Sequence, residues 1–289
     1  MFKYLKAFRP VVLTGVSMCA LVLLPYQLTA PQGLASLHAD ATTSATLLYT
    51  FNSAGVLQET GSMSGSSSHY FWVNSGAKLL MQDGLGKTVQ GALPTDDSWR
   101  VLYGHTNPLD TGNGYYPQNV FRLVTRSVWS NVTQEMQFKI QHTNLTPTPN
   151  RDGYSGIFFF SRYHDGDNLY YAGMRMDGAA VIKKKVGGVY YTLDLEPVFP
   201  GTYDRVASPN LLPLKQWMRM RLVTEDQTDG VSLRLYLDAT NTGVYTLVAH
   251  ALDRDGLYGG TPVNSGPAYA GVRTDYMDAF FNDYRLSQI

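Results

Sequence analysis

From Val120 onward, apolar and polar positions alternate in short runs broken by turn residues, which is the period of half-buried antiparallel strands. Val231-Ser232-Leu233-Arg234-Leu235-Tyr236-Leu237-Asp238 is the clearest case, with aliphatic side chains at every second position and polar or amphipathic ones between them. The same pattern predicts strands near residues 120–126, 134–143, 157–163, 168–176, 179–186, 189–195, 216–224, 244–251, 268–273 and 278–286. No segment sustains a helical period. So many short strands predict an all-β fold of two packed antiparallel sheets, a jelly-roll sandwich.

Residues 168–194 carry the most register information. Asp177-Gly178 and Gly187-Gly188 read as two-residue turns, so the strands around them pair as consecutive hairpins. Counting from the turns sets Tyr170 opposite Lys185 and Lys185 opposite Tyr190, with Ala172, Lys183 and Thr192 in the next row. Leu169, Ile182, Val186, Val189 and Leu193 fall on the other face, interrupted by Tyr171, Lys184 and Tyr191. The aliphatic face is assigned to the core. That leaves Tyr170, Lys183, Lys185, Tyr190 and Thr192 on an open aromatic and basic face.

With 289 residues, 44% hydrophobic and 12% aromatic, the chain is long enough to bury one large core. The formal net charge of +0 lacks the basic excess expected of a nucleic-acid or anionic-membrane partner. Residues 1–41 read as a signal peptide: Lys3, Lys6 and Arg9 precede an apolar stretch at 11–24, and Ala39-Asp40-Ala41 offers a small-x-small cleavage site. The apolar run is shorter than the roughly 20 residues of a membrane-spanning helix. The expected mature domain, 42–289, has 20 basic against 22 acidic side chains and no cysteine, because Cys19 is the only one in the chain. The expected location is therefore secreted, periplasmic or extracellular, with no membrane association beyond export and no disulfide. Gly61–Ser68, rich in serine, reads as a surface loop.

Gly156-Ile157-Phe158-Phe159-Phe160-Ser161-Arg162-Tyr163, Asp165-Gly166-Asp167-Asn168-Leu169-Tyr170-Tyr171 and Val181-Ile182-Lys183-Lys184-Lys185 resemble the central hairpins of concanavalin A-like lectin/glucanase domains, including the laminin-G type. Ala270-Gly271-Val272-Arg273-Thr274-Asp275 and Phe280-Phe281-Asn282-Asp283-Tyr284 are similar to their last strands. The resemblance covers roughly residues 120–289 and implies a jelly roll whose concave face often holds glycans, with calcium in some members. Fold alone does not assign function.

Three functions compete. Tyrosine rings stack on sugar faces, and lysine or arginine favours carboxylated or sulfated sugars. A polysaccharide-binding face is therefore expected from Lys139, Gln141, Arg162, Tyr170, Lys183, Lys185 and Tyr190. A lyase acting on a uronate polymer would need a base and cations at the developing enolate, for which Tyr170, His142 and Arg122 are the candidates. The similar alginate lyases carry Gln and His on alternate positions of a strand. Here Gln141 and His142 are adjacent, so alternation turns His142 inward. A laminin-G-like adhesive role is the third possibility. Glycoside hydrolysis is disfavoured because only Glu59, Glu135, Glu196 and Glu225 occur and no closely spaced acidic strand motif is present. No cofactor is expected, apart from a structural calcium ion for which Asp165, Asp167 and Asp283 are the candidate ligands, although turn chemistry explains Asp165 and Asp167 equally.

Overall fold

The computed structural model describes residues 45–263 and 266–289, and Thr43–Ile289 form one compact unit. The expected signal peptide, with Cys19, lies outside the described residues. The early strands are Thr46–Tyr49 (β1), Gly55–Gln58 (β2), Phe71–Ser75 (β3), Lys78–Gln82 (β4) and Leu85–Lys87 (β5). Two helices follow, Ser98–Thr106 (α1) and Pro108–Thr111 (α2). The remaining strands are Val120–Trp129 (β6), Val132–Thr143 (β7), Gly156–Asp165 (β8), Asn168–Arg175 (β9), Ala179–Val186 (β10), Val189–Pro197 (β11), Met218–Gln227 (β12), Gly230–Asp238 (β13), Thr246–Asp253 (β14), Ala268–Asp275 (β15) and Met277–Gln288 (β16). Among the described residues no helix is long and apolar enough to cross a membrane.

The strands form a two-sheet antiparallel jelly-roll sandwich, as expected. One sheet has nine strands, in the order β14-β13-β12-β7-β16-β5-β4-β2 with β1 also on β16; the other has seven, in the order β11-β10-β9-β8-β15-β6-β3. Every strand expected after Val120 is present. Strands β1 to β5 carry only three to five residues each, too few to show a period. Helix α1, nine residues long, is too short to be stable alone and depends on tertiary contacts. Asp97 caps it by accepting from the Trp99 amide at 2.8 Å, and its single buried residue, Tyr103, donates to Glu59 Oε2 at 2.6 Å. In the 61–68 loop most residues are exposed, but Ser66 is buried and donates to the Phe71 carbonyl at 2.6 Å.

The main core lies between the sheets. Strand β13 alternates as its sequence does, with Val231, Leu233, Leu235 and Leu237 inward. Strand β8 behaves differently. Its residues from Gly156 to Tyr163 are buried on both faces, because Phe158 and Phe160 lie in a second apolar cluster with Val124, Tyr163, Leu169, Tyr171 and Val181 on the outer side of the seven-stranded sheet.

Polar ties also cross the core. Ser161 Oγ meets Thr224 Oγ1 at 2.8 Å, and Gln134 Nε2 donates to the Phe160 carbonyl at 2.6 Å. The most deeply buried tie is ionic. Lys184 Nζ on β10 lies 2.8 Å from Asp253 Oδ1 on β14, both side chains having no exposure, and Tyr170 donates to Asp253 Oδ2 at 2.6 Å while accepting from the Val263 amide at 3.0 Å.

This cluster corrects the expected register of β9. The turn from β9 to β10 holds three residues, Met176, Asp177 and Gly178, so Lys184 pairs with Tyr170 and Lys185 with Leu169. One extra turn residue exchanges the two faces of β9. Tyr170 is therefore fully buried and its neighbour Tyr171 turns outward. The β10–β11 turn does hold two residues, and Lys185 faces Tyr190 as expected.

Removing one member of a buried ion pair strands the other charge, at a cost of about 3–5 kcal/mol. Lys184→Met is expected to lower the unfolding free energy by that order. Tyr170→Phe should lose about 1.5–3 kcal/mol, because it removes the charge-assisted hydrogen bond to Asp253 and leaves the Val263 amide without its acceptor. Urea denaturation of both variants checks this, and a Tyr170→Phe chain as stable as the parent would show that the hydroxyl contributes nothing there.

Candidate functional site

The outer face of the seven-stranded sheet carries the site. Its floor is the second apolar cluster: Tyr171 meets Phe158 edge-on at 5.6 Å, and Phe160 meets Tyr163 at 5.4 Å. Above it stand cations from β6 and β15 on one side and from β10, beyond β8 and β9, on the other. Arg122 on β6 and Arg273 on β15 are direct cross-strand partners, and Lys183 and Lys185 project from β10 on the same side. Tyr190, half exposed at 51%, packs edge-on against Tyr171 at 6.0 Å. Lys185 holds Tyr190 from beneath: its ammonium lies 4.9 Å from the ring centre, and it pairs with Asp167 at 2.8 Å.

A groove of about 500 Å³ runs over this face, a volume within the range of ordinary ligand sites. Arg122, Lys183, Tyr190 and Arg273 line it on the sheet side, and Tyr154 and Asn150 line its rim. The rim is fixed by hydrogen bonds. Asp110 Oδ1 accepts from Tyr276, Thr148 and Asn150, each at 2.9 Å, and these bonds outweigh its burial and hold its carboxyl below the usual carboxylate range. Asp278 accepts from Gln118 at 2.8 Å and Asn144 at 3.0 Å, anchoring the segment after α2 to the sandwich. A rim held in this way is preorganised, so a ligand would order little on binding.

The groove's lining carries three cations, Arg122, Lys183 and Arg273, and three carboxylates, Asp110, Asp152 and Asp275, with the cations gathered on the sheet side. Arg273 donates to Asp275 at 2.8 Å; burial works against its charge, but Asp275 more than compensates and holds its pKa above normal. Among the described residues Arg122 has no hydrogen-bond or ion-pair partner. Burial, followed by repulsion from Arg273, pulls its pKa down, while the Asp275 carboxylate partly opposes them. Lys183 is lowered by burial and then by Arg175 and Arg273, and its closest aromatic contact is Tyr154 at 5.4 Å. A partly buried guanidinium beside another cation carries a desolvation and repulsion cost that Asp275 offsets only in part.

Of the expected site residues, the fold brings Arg122, Lys183, Lys185 and Tyr190 together. Tyr170 is not among them; it is a core residue. Lys139 and Gln141 lie on the outer face of the other sheet, because they project from β7 between the inward Phe138 and Ile140. His142 was expected inward but is exposed, since a bulge opposite Asp278 and Ala279 lets two consecutive residues of β7 turn outward. Arg162 leaves the open face altogether. At φ +50° in a bulged stretch of β8, it is buried and donates to the Gly266 carbonyl at 2.8 Å, with Asp226 at 2.9 Å. The three groups named for elimination, Tyr170, His142 and Arg122, thus lie in three separate places.

The candidate calcium ligands lie in two separate places. Asp165 accepts from the Asp167 amide at 2.7 Å and from Asn168 at 3.0 Å, which makes it a turn residue, while Asp283 sits on the nine-stranded sheet and accepts from Gln137 at 2.9 Å. These aspartates form no shared ligand set, and among the described residues no cluster of three or more His, Cys, Asp or Glu is placed to hold a metal ion.

Sequence reasoning missed Arg273, Asp275, Tyr171 and Tyr154. The Arg-x-Asp spacing of residues 273 and 275 within a strand already places both on one face at ion-pair distance. Tyr171 was hidden by the turn length. Tyr154 lies in a loop, where no period acts.

No family model matches the chain, and no curated protein matches it. Solved structures similar to it include a carbohydrate-binding module, CBM66, from Bacillus subtilis, at 16% identity and TM-score 0.39, covering 57% of this chain and 81% of that one. Another is a β-glucanase from Bacillus licheniformis, at 10% identity and TM-score 0.44, with 86% and 99% covered. A third is a β-1,3-1,4-glucanase (lichenase) derived from a mouse hindgut metagenome, at 10% identity and TM-score 0.41, with 84% and 98% covered. The fold itself is read from the strand order above.

A buried cation held against another cation is a stability cost that substitution relieves. Arg122→Met should therefore raise the unfolding free energy by about 0.5–1 kcal/mol. Thermal unfolding at low ionic strength measures this, and a clear destabilisation would mean that Arg122 supports the fold instead.

Proposed function

We propose that this chain is an exported polysaccharide-binding protein that takes an acidic glycan on the outer face of its seven-stranded sheet. The observation that carries the reading is Arg122, whose guanidinium makes no direct hydrogen bond or ion pair among the described residues, lining a preorganised groove beside Arg273, Lys183 and the exposed ring of Tyr190. In this reading a sugar ring lies on Tyr190 and its carboxylate or sulfate meets Arg122 and Arg273, while Tyr154 and Lys183 contact the neighbouring sugar. Lys185 acts as a positioning residue through its contacts with Tyr190 and Asp167. Binding is favoured over elimination because Tyr170, the residue named as base, is buried in the core, where its hydroxyl donates a hydrogen bond to Asp253. Burial and then Asp253 raise its pKa further, which opposes ionisation. Export through residues 1–41 belongs to the same proposal.

The test is calorimetric titration of residues 42–289 with oligogalacturonate and with a neutral glucan of equal length. Binding of the acidic ligand alone is expected. It should weaken as salt screens the cations, and weaken again as the pH falls through the carboxylate range, about 4, where the ligand loses its charge. Arg122→Ala and Tyr190→Ala should each weaken binding about tenfold, or about 1.4 kcal/mol. Equal affinity for both glycans, or indifference to Arg122→Ala, would remove this reading, and growth of unsaturated-uronate absorbance would replace it with a lyase.

A further inference from the structure

The nine-stranded sheet has an outer face too, and it resembles the first one chemically. Two rows of side chains cross it. In the first row, Lys87 on β5, Phe280 on β16 and Lys139 on β7 are successive cross-strand partners, and Trp217, just before β12, continues the line. The Lys139 ammonium lies 4.8 Å from the Trp217 ring and 5.0 Å from the Phe280 ring, and Lys87 lies 5.3 Å from Phe280 on its other side. Four positions on neighbouring strands span roughly 14 Å, long enough for more than one sugar ring.

The second row is four residues along β7. Arg285, Glu135 and Arg221 are partners on β16, β7 and β12. Arg221 pairs with Glu135 at 2.5 Å and its guanidinium stacks on Tyr245 at 4.0 Å. These residues, with Arg219 and Asp283, line a pocket of about 360 Å³. Asp283 has φ +48° within a bulge of β16, a local strain of the kind proteins hold at sites of recognition. Both carboxylates are already engaged, Glu135 by Arg221 and Asp283 by Gln137. Among the described residues Lys139 and Arg285 have no carboxylate partner. Cations left over beside half-buried aromatic rings are the same combination that defines the groove on the opposite sheet.

From this we infer that the outer face of the nine-stranded sheet is a second site for acidic polysaccharide, so that one chain bridges two polymer strands. This rests on the glycan-binding reading above. The two sheets pack face to face, so their outer faces look in opposite directions, and a short stretch of one polymer cannot occupy both. Two sites on one body join separate polymers instead of adding affinity to a single one.

Mixing the monomeric protein, verified by sedimentation, with soluble polygalacturonate tests the inference by turbidity and by titration with short oligogalacturonate. The parent should bind two oligomers per chain and precipitate the polymer near equivalence, with excess of either component dissolving the network. Lys139→Ala/Arg285→Ala should weaken the second site about tenfold and abolish precipitation while the first site keeps its affinity. Arg122→Ala/Lys183→Ala should do the converse. One oligomer per chain, or unchanged precipitation by Lys139→Ala/Arg285→Ala, overturns the second site and leaves the first standing; no binding of the acidic oligomer by the parent overturns both.

Discussion

The ion pair between Lys184 and Asp253 is the constraint on which the rest of the arrangement turns. A lysine in the middle of a sandwich core is tolerable only where a carboxylate and further hydrogen bonds meet it. Here the carboxylate comes from the opposite sheet and is shared with Tyr170. That shared contact fixes β9 and β10 in register with each other and with β14. A slip of one residue would bring Lys183 or Lys185 into the core without a partner and push Lys184 into solvent, so the alternative registers are excluded by charge as well as by shape.

With that register set, the odd-numbered side chains of β9 and β10 project outward, and the groove follows. Leu169 and Tyr171 join Phe158 and Phe160 in an apolar floor. Lys183 and Lys185 then stand beside the arginines of β6 and β15. Apolar residues on both faces of β8 and β9 serve two purposes: one face fills the core and the other supports the cations, whose charge is strengthened by the low-dielectric surface beneath them. The rim around Asp110 and Asp278 adds rigidity without adding positive charge.

The same economy of alternation operates on the other sheet. Strand β7 sends Met136, Phe138 and Ile140 inward and Glu135, Gln137, Lys139 and Gln141 outward, so one strand builds core and surface together. Each sheet thus presents a wet aromatic and basic face on a dry backing. A strand-built surface of this kind is rigid enough to hold cations close to one another, which a loop would relax apart.

Alternation along the chain determined the strands after Val120, the sandwich they form, and the outward direction of Arg122, Lys183, Lys185 and Lys139, because a period of two is a local property of the backbone. The turn at Gly187-Gly188 was legible for the same reason. Tertiary structure decided the rest. Whether Asp177-Gly178 closes a two- or three-residue turn depends on where Lys184 finds Asp253, 69 residues away in sequence. That single choice exchanged Tyr170 for Tyr171. The bulges that expose His142 and bury Arg162 arise from pairing with partner strands and leave no trace in the sequence period. Which outward-facing residues share a face was equally invisible, since β7 and β10 read alike along the chain and belong to opposite sheets.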